Sequence, residues 1–313
     1  MFEGTIESFT ITYDSLNERE TLSCGDVIKG QISFKVSQQM NICAIMLAIK
    51  GEANVVWYNG YDKNRRTYNA REEYFNIKEV LLGEYNNGLG EGKIVLREGT
   101  HVYPFSIQLP QGNFPSSFKG LHGSVVYCLE AEIHRPWRMP KEFRSEFNFV
   151  NDIDANHPQL LVPQVASSSK ELCCLCCTTG PVALGFQLEK KGYVPGETIK
   201  IIVEFENATS RTLIPSVALV QTQTFYTRFR TSKKHESRDL ALVEGEHLTP
   251  HNSTVWESAM LQIPADTPTN LSRCRIMEVE YSLEVRVSIP RGFNLRATVP
   301  LVICSIPACQ PSA

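Results

Sequence analysis

The strongest constraint on the fold is an internal repeat in the 313-residue chain. The sequence GDVIK at residues 25–29 is matched in the second half by GETIK at residues 196–200. Two further matches share a single offset: FSIQLP at 105–110 with AMLQIP at 259–264, and YCLE at 127–130 with YSLE at 281–284. Because the three matches occur in the same order in both halves, the chain is predicted to contain two domains of similar topology.

Both halves show the period of two that is typical of half-buried β-strands. In residues 27–36, apolar side chains such as Ile28 and Phe34 alternate with polar ones, as expected when successive side chains point to opposite faces. When GDVIK is aligned with GETIK, these two positions correspond to Ile199 and Phe205, so Phe34 and Phe205 are predicted to be equivalent and buried. Helical periodicity is nearly absent. The sequence therefore predicts an all-β fold of two immunoglobulin-like β-sandwich domains in tandem.

Composition and charge exclude several classes of protein. Lys and Arg number 31 against 34 Asp and Glu, a net charge of −3, which argues against a dedicated nucleic-acid-binding protein. The longest apolar run, CAIMLAI at residues 43–49, is too short to cross a bilayer. The first residues, MFEGTIESF, have neither the basic nor the apolar region of a secretory signal. We expect a cytoplasmic protein.

Several segments together resemble the α-arrestins, the family of arrestin domain-containing proteins. They are KKGYVPGE at 190–197, GSVVY at 123–127 followed by HRPW at 134–137, QTQTFY at 221–226, and VEYSL at 279–283. The resemblance covers about residues 4–307. It implies an arrestin N-terminal-like β-sandwich over residues 1–160, a linker with a cysteine cluster over residues 161–180, and an arrestin C-terminal-like β-sandwich over residues 181–313.

The same resemblance implies a non-enzymatic adaptor in the trafficking of membrane receptors or transporters. Such an adaptor links the cytoplasmic regions of its cargo to a ubiquitin ligase and to endosomal sorting machinery, and is recruited from the cytoplasm to the plasma membrane and endosomes. No Gly-x-Ser-x-Gly, His-Glu-x-x-His or P-loop motif occurs, so neither catalytic activity nor a cofactor or metal is expected. Two alternatives share the fold: a redox-linked thioredoxin-binding module and a retromer-type trafficking subunit.

Ligase recruitment in α-arrestins uses Pro-Pro-x-Tyr motifs, which dock on WW domains of HECT-type ubiquitin ligases. No such motif occurs in the 313 residues. A ligase is therefore expected as a partner if a Pro-Pro-x-Tyr tail follows residue 313.

Basic residues form two groups that are candidates for anion or partner binding. The first comprises Arg228, Arg230, Lys233 and Lys234, with Arg238 nearby, and the second comprises Arg135 and Arg138 around Trp137, with Lys141 and Arg144 nearby. One interpretation is solvated loop charge that keeps the protein soluble. The other is a site for phosphorylated receptor tails or inner-leaflet lipids, since arginine makes bidentate contacts with phosphate.

Four of the ten cysteines form a cluster, Cys173, Cys174, Cys176 and Cys177. A zinc site would need two further ligands, which the nearby sequence does not supply. The cluster could instead be an inert or transiently oxidised surface loop. The third interpretation is reversible S-acylation, for which at least two chains would be needed because one acyl chain anchors only marginally. The six scattered cysteines are expected to be small buried residues.

Thioredoxin capture by family members uses a cysteine in the second domain. The resemblance places Ser253 at that position, and a hydroxyl cannot exchange with a disulfide. Cys274, about twenty residues later, directly precedes a predicted strand, so we expect it to be partly buried. The sequence thus predicts no stable mixed disulfide with thioredoxin.

Overall fold

The computed structural model describes residues 5–14, 17, 20–60, 62–84, 94–174, 177–290 and 292–309, with the backbone alone at residues 63, 172–174 and 177–179. These residues contain twenty β-strands and two single turns of 3-10 helix, Asp62–Asn64 and Pro158–Leu160. No helix among them has the length and hydropathy of a membrane span. Contacts divide the chain into two compact units. The first unit is Met1–Asn151 with Tyr226–Ser232 and Arg273–Ile276, and the second unit is Asp152–Phe225, Lys233–Ser272 and Met277–Ala313.

The first unit is built from eleven of the described strands. They are β1 (Ile6–Tyr13), β2 (Thr21–Leu22), β3 (Val27–Val36), β4 (Met40–Ile42), β5 (Ala44–Asn59), β6 (Arg66–Gly83), β7 (Ile94–Leu96), β8 (Gly99–Gln108), β9 (Phe118–Lys119), β10 (Gly123–His134) and β11 (Lys141–Phe149). One sheet has the order β1-β3-β8, and the other has the order β2-β11-β10-β5-β6 with β9 beside β10. Strands β4 and β7 form a separate pair.

The remaining nine described strands form the second unit, except that the last residue of β16 belongs to the first unit. They are β12 (Gln164–Cys174), β13 (Cys177–Leu188), β14 (Gly192–Tyr193), β15 (Thr198–Asn207), β16 (Ile214–Tyr226), β17 (Lys233–Glu244), β18 (Asn252–Gln262), β19 (Met277–Ser288) and β20 (Leu295–Ile303). Their two sheets have the orders β12-β13-β15-β18 and β14-β20-β19-β16-β17.

Several strands of the first sandwich have a counterpart in the second, and the two tandem sandwiches confirm the predicted fold class. Strands β10 and β19 both have 12 residues, β11 and β20 both have 9 residues, and one offset in the sequence relates both pairs. Strands β3 and β15 both have 10 residues, and Phe34 and Phe205 occupy the same place in them. These two side chains are 1% and 4% exposed, so the prediction that both are buried at equivalent positions is confirmed.

The turn that leads into β3 also recurs before β15. Gly25 has a φ of +82° and Gly196 a φ of +84°, a left-handed conformation that glycine adopts without a steric penalty. The next residue, Asp26 or Glu197, accepts a hydrogen bond through its carboxylate from the backbone N–H three residues earlier, at 2.7 and 3.0 Å respectively. The repeated GDVIK and GETIK sequences therefore encode one turn geometry twice.

The segment predicted to be a linker, residues 161–180, differs from expectation because much of it is strand. Gln164–Cys174 forms β12, which pairs antiparallel with β13 at the edge of a sheet of the second unit. Its half-buried positions include Ala166 and Ser168, while Val165 is 70% exposed. Small and polar residues on the covered face give no apolar alternation, so the sequence pattern could not reveal this strand. The domain boundaries at residues 160 and 180 stay predictions.

Candidate functional site

One predicted basic group lies at the hairpin tip of residues 135–140, between β10 and β11 in the first unit. The guanidinium of Arg135 donates a hydrogen bond from Nη2 to the carbonyl oxygen of Met139, at 3.2 Å. Arg138 is exposed and Trp137 is 94% exposed. The sequence made both arginines candidates for anion or partner binding, with solvated loop charge as the other interpretation, and their binding role stays a prediction. The structure gives Arg135 a role in bracing the loop and leaves Arg138 at the surface.

Two residues of the other basic group, Arg228 and Arg230, lie in the loop of residues 227–232, within the first unit. The Arg228 guanidinium is 5.7 Å from the ring centroid of Phe229. The Arg230 guanidinium lies 4.0 Å from the ring centroid of Tyr226, and its Nε donates to the carbonyl oxygen of Arg275 at 3.1 Å. Contacts with an aromatic ring and a carbonyl therefore fix the direction of Arg230.

The other two residues of this group, Lys233 and Lys234, begin β17 in the second unit. Lys233 is exposed. Lys234 forms an ion pair with Glu236 at 3.2 Å, and such partly solvent-exposed pairs contribute little to stability. Arg228 and Arg230 thus belong to the first unit, and Lys233 and Lys234 belong to the second. Anion binding by either pair stays a prediction.

Sequence analysis missed a charged groove on the second unit, of about 730 Å³. Its lining residues come from β16, β17, β19 and β20: Val220, Thr222, His235, Ser237, Arg238, Asp239, Glu284, Arg286, Arg296 and Thr298. Arg286 donates two hydrogen bonds to Asp239, at 2.6 and 2.9 Å, and a third to Glu284 at 2.9 Å. The hydrogen bonds from Arg286 hold the pKa of Asp239 below its usual value. These residues meet only through strand pairing, so no sequence spacing signals the groove.

A chain of polar groups leads from the exposed Arg238 in this groove to the buried Gln221, Gln223 and Tyr281 in the core of the second unit. Arg238 Nε donates to Gln221 Oε1 at 3.0 Å, and Gln223 Nε2 donates to the same oxygen at 2.8 Å. Gln221 Nε2 donates to the hydroxyl of Tyr281 at 2.8 Å, and that hydroxyl donates to the carbonyl oxygen of Pro268 at 2.6 Å. Because each of these groups has a partner, the network holds the register of β16 against β19.

The scattered cysteines were expected to be buried, and the structure confirms this for three of them. Cys128, Cys274 and Cys304 are buried, and Cys24 and Cys43 are half-buried. For Cys309 the expectation was wrong, since this residue is exposed beyond the last strand. Burial raises the pKa of Cys304 to about 11, and burial also raises the pKa of Cys128. Both thiols are therefore poor nucleophiles at neutral pH.

Three cysteines of the cluster, Cys173, Cys174 and Cys177, lie at the adjoining ends of β12 and β13. The backbone of Cys173 pairs with Thr178 and that of Cys174 with Cys177, whereas their side chains and the whole of Cys176 lie outside the described residues. Acylation of the four cysteines stays a prediction. In the part of the chain that the structure describes, no group of three or more His, Cys, Asp or Glu side chains could hold a metal ion.

Comparison with known proteins identifies the class to which these paired sandwiches belong. The family model for the arrestin (or S-antigen) N-terminal domain matches residues 9–156, and that for the arrestin (or S-antigen) C-terminal domain matches residues 178–308. The chain therefore belongs to the arrestin family, and its relatives place it among the α-arrestins. Arrestin-family proteins of this kind are non-enzymatic adaptors.

The relatives match along nearly the whole chain. Arrestin domain-containing protein 4 of Mus musculus is 33% identical over 312 residues, which cover 97% of this chain and 73% of the relative. The Homo sapiens protein of the same name is 33% identical over 308 residues, with the same coverage. Thioredoxin-interacting protein of Homo sapiens is 30% identical over 302 residues, which cover 96% of this chain and 75% of the relative.

Proposed function

We propose that this α-arrestin binds cytoplasmic regions of membrane receptors or transporters and links them to a ubiquitin ligase and to endosomal sorting machinery. The presence of both arrestin domains over most of the chain carries the proposal. The ligase is of the HECT type and is recruited if a Pro-Pro-x-Tyr motif follows residue 313. The protein is cytoplasmic and moves to the plasma membrane and endosomes when cargo is present.

Outer strands of the sheets offer a physical means of binding such cargo. Strand β6 is outermost in its sheet of the first unit, and β12 is outermost in its sheet of the second unit. The free edge of an outer strand carries backbone N–H and C=O groups that can pair with an extended peptide. A cytoplasmic tail of a receptor can therefore add as a further strand, with specificity supplied by its alternate side chains.

Exposed basic residues, Arg228 in a loop and Lys233 at the start of β17, supply a second contact for acidic or phosphorylated segments of cargo. Arg228 and Lys233 are exposed, and each can reach an anion without breaking a contact in the core. Arginine and lysine at such positions attract phosphate through charge-assisted hydrogen bonds. Arg228 and Lys233 are both among the residues that the sequence makes candidates for anion or partner binding.

The adaptor function is tested by fusing a proximity-labelling enzyme to the full chain in intact cells. We expect labelling of the cytoplasmic regions of plasma-membrane proteins and a shorter surface lifetime of the labelled proteins. A variant with Arg228, Arg230, Lys233 and Lys234 all changed to Gln should lose much of this labelling. Its matched control changes four exposed basic residues on strands to Gln, namely Lys29, Lys35, Lys119 and Lys200, none of which belongs to either basic group. Unchanged surface lifetimes of all membrane proteins after removal of the protein would contradict the proposal.

Acylation of the cysteine cluster is proposed as one route to the membrane. Changing Cys173, Cys174, Cys176 and Cys177 to Ser should lower the membrane-bound fraction in cells. The thermal midpoint should stay almost unchanged, because the described backbone of Cys173, Cys174 and Cys177 lies at the adjoining ends of β12 and β13. Cys309→Ser, which removes an exposed cysteine elsewhere, is the control. One equivalent of zinc in the purified protein would contradict acylation and favour a metal site.

Thioredoxin binding is a second candidate function, which the name of the thioredoxin-interacting relative suggests. Ser253 is exposed on β18, at the position where the family resemblance implies a capturing cysteine. The hydroxyl cannot form a mixed disulfide. The adaptor function is therefore the one that we propose, and the redox function serves as the alternative to be tested.

A further inference from the structure

The hairpin tip of residues 135–140 presents two large apolar side chains to solvent. Trp137 is 94% exposed and Met139 is 83% exposed. The two other tryptophans of the chain are covered, since Trp57 is 1% exposed and Trp256 is half-buried. Exposed apolar side chains that lie close together commonly mark a surface that another molecule covers.

The backbone holds this tip in a fixed conformation. Trp137 has a φ of +56°, in a left-handed region that bulky L-residues rarely adopt. Prolines at 136 and 140 restrict the chain on both sides. The hydrogen bond from Arg135 to the Met139 carbonyl oxygen, at 3.2 Å, closes the loop. A strained backbone that presents its tryptophan to water is typical of a functional surface.

The charge around the tip selects the kind of partner. Arg138 is exposed, and Lys141 follows at the start of β11. Residues 135–142 carry three basic side chains, Arg135, Arg138 and Lys141, and one acidic side chain, Glu142. We propose that the tip inserts Trp137 and Met139 into the interface of an anionic lipid bilayer, with Arg138 and Lys141 beside the lipid headgroups.

Three physical properties fit a bilayer better than a peptide. Tryptophan favours the membrane interface, where its ring is among apolar groups and its N–H stays hydrated. Basic side chains beside an anionic leaflet add attraction within a Debye length. A side chain that is 94% exposed protrudes from its neighbours, whereas peptide recognition uses a groove or a strand edge. Because only two side chains insert and only two basic side chains lie beside the headgroups, we expect the binding to the bilayer to be weak and reversible.

The proposal is tested with purified full-length chain and protein-free vesicles of phosphatidylcholine, with and without phosphatidylserine. Phosphatidylserine vesicles should sediment the protein, shift tryptophan emission to the blue and protect it from acrylamide. Trp137→Gly should weaken binding at least about tenfold, equivalent to about 1.4 kcal/mol, while the thermal midpoint stays unchanged or rises because strain is removed. The control Val165→Ser removes a 70% exposed apolar side chain on β12 and should bind vesicles normally.

Charge is tested with Arg138→Gln and Lys141→Gln, which should weaken binding to phosphatidylserine vesicles but leave the emission of free protein unchanged. Undiminished sedimentation of Trp137→Gly would overturn the proposal. Protection of Trp137 by a soluble phosphopeptide but not by vesicles would also overturn it, in favour of peptide binding. The proposal does not depend on the adaptor function, because the vesicles contain no cargo and no ligase.

Discussion

Tyr127 and Tyr281 occupy equivalent positions on β10 and β19 and make the same hydrogen bond in the two sandwiches. Each hydroxyl donates to a proline carbonyl oxygen at 2.6 Å, that of Pro115 for Tyr127 and that of Pro268 for Tyr281. Burial raises the pKa of both tyrosines, so both hydroxyls stay protonated and able to donate. In each sandwich the bond ties an upstream loop to a central strand, much as the tyrosine corner does in immunoglobulin-like domains.

Loss of these hydroxyls should destabilise the second unit more than the first. Tyr127→Phe leaves one buried carbonyl group without its donor, whereas Tyr281→Phe also removes the acceptor for Gln221 Nε2. We expect Tyr127→Phe to lower the free energy of unfolding by about 1–3 kcal/mol and Tyr281→Phe to lower it by more. Calorimetry of the two variants measures this difference. Tyr58→Phe, at a position that is 49% exposed, is the control, and equal midpoints for all three variants would contradict the role given to the hydrogen bonds.

The two equivalent phenylalanines should each be essential to one core. Phe34→Ala and Phe205→Ala remove side chains that are 1% and 4% exposed. Each substitution should lower the free energy of unfolding by about 3–5 kcal/mol, because apolar burial is lost and a cavity is left. Urea unfolding measures both losses. Phe229→Ala is the control: its ring is 81% exposed, so the free energy of unfolding should hardly change. A loss below about 1 kcal/mol at either core position would show that the repeated strand does not pack as described.

The core residues could be predicted because apolar and polar side chains alternate along a strand whose one face is buried. Ile28 and Phe34 occupy one face of a single strand, and their spacing is visible without knowledge of any partner strand. The bidentate pair of Arg286 with Asp239 depends on how β19, β16 and β17 are ordered in the sheet, and no local pattern fixes that order. The exposure of Cys309 likewise depends on where the last strand ends, because Cys309 follows β20 and has no place in a sheet.

A buried carboxylate of the first unit should make its stability depend on pH. Glu132, on β10, is 7% exposed. Its carboxylate accepts hydrogen bonds from Lys78 at 3.0 Å and from His134 at 2.9 Å. Burial raises the pKa of Glu132, but the hydrogen bonds and charges of Lys78 and His134 outweigh it, so the pKa is lowered overall. Since the folded-state pKa is below the unfolded value of about 4.3, the ionised group stabilises the fold above that pH, and this stability is lost as the pH falls through the folded pKa.

Glu132→Gln should therefore lower the urea midpoint of the first unit at pH 7 and have a smaller effect at pH 3. We expect Glu132→Gln to lower the free energy of unfolding by about 1–2 kcal/mol at neutral pH, because a neutral amide replaces a buried, hydrogen-bonded carboxylate. Glu142→Gln, at an exposed position opposite Glu132 on β11, should change neither midpoint. The same loss at both pH values would mean that packing, and not the charge, is responsible.

No stable mixed disulfide should form between this protein and thioredoxin. Such a bond needs an accessible thiol that ionises within reach of the partner disulfide. Ser253 has no thiol, burial covers Cys128, Cys274 and Cys304, and the exposed Cys309 follows β20 and does not lie on β18, where the resemblance places the capturing cysteine. The test is to mix the full chain with a resolving-cysteine mutant of thioredoxin under mild oxidation and to run a non-reducing gel. A stoichiometric band that dithiothreitol removes would contradict the prediction. If that band persisted after Ser replacement of Cys173, Cys174, Cys176 and Cys177, the exposed Cys309 would be the residue to replace next, because its thiol is accessible where those of the buried cysteines are not.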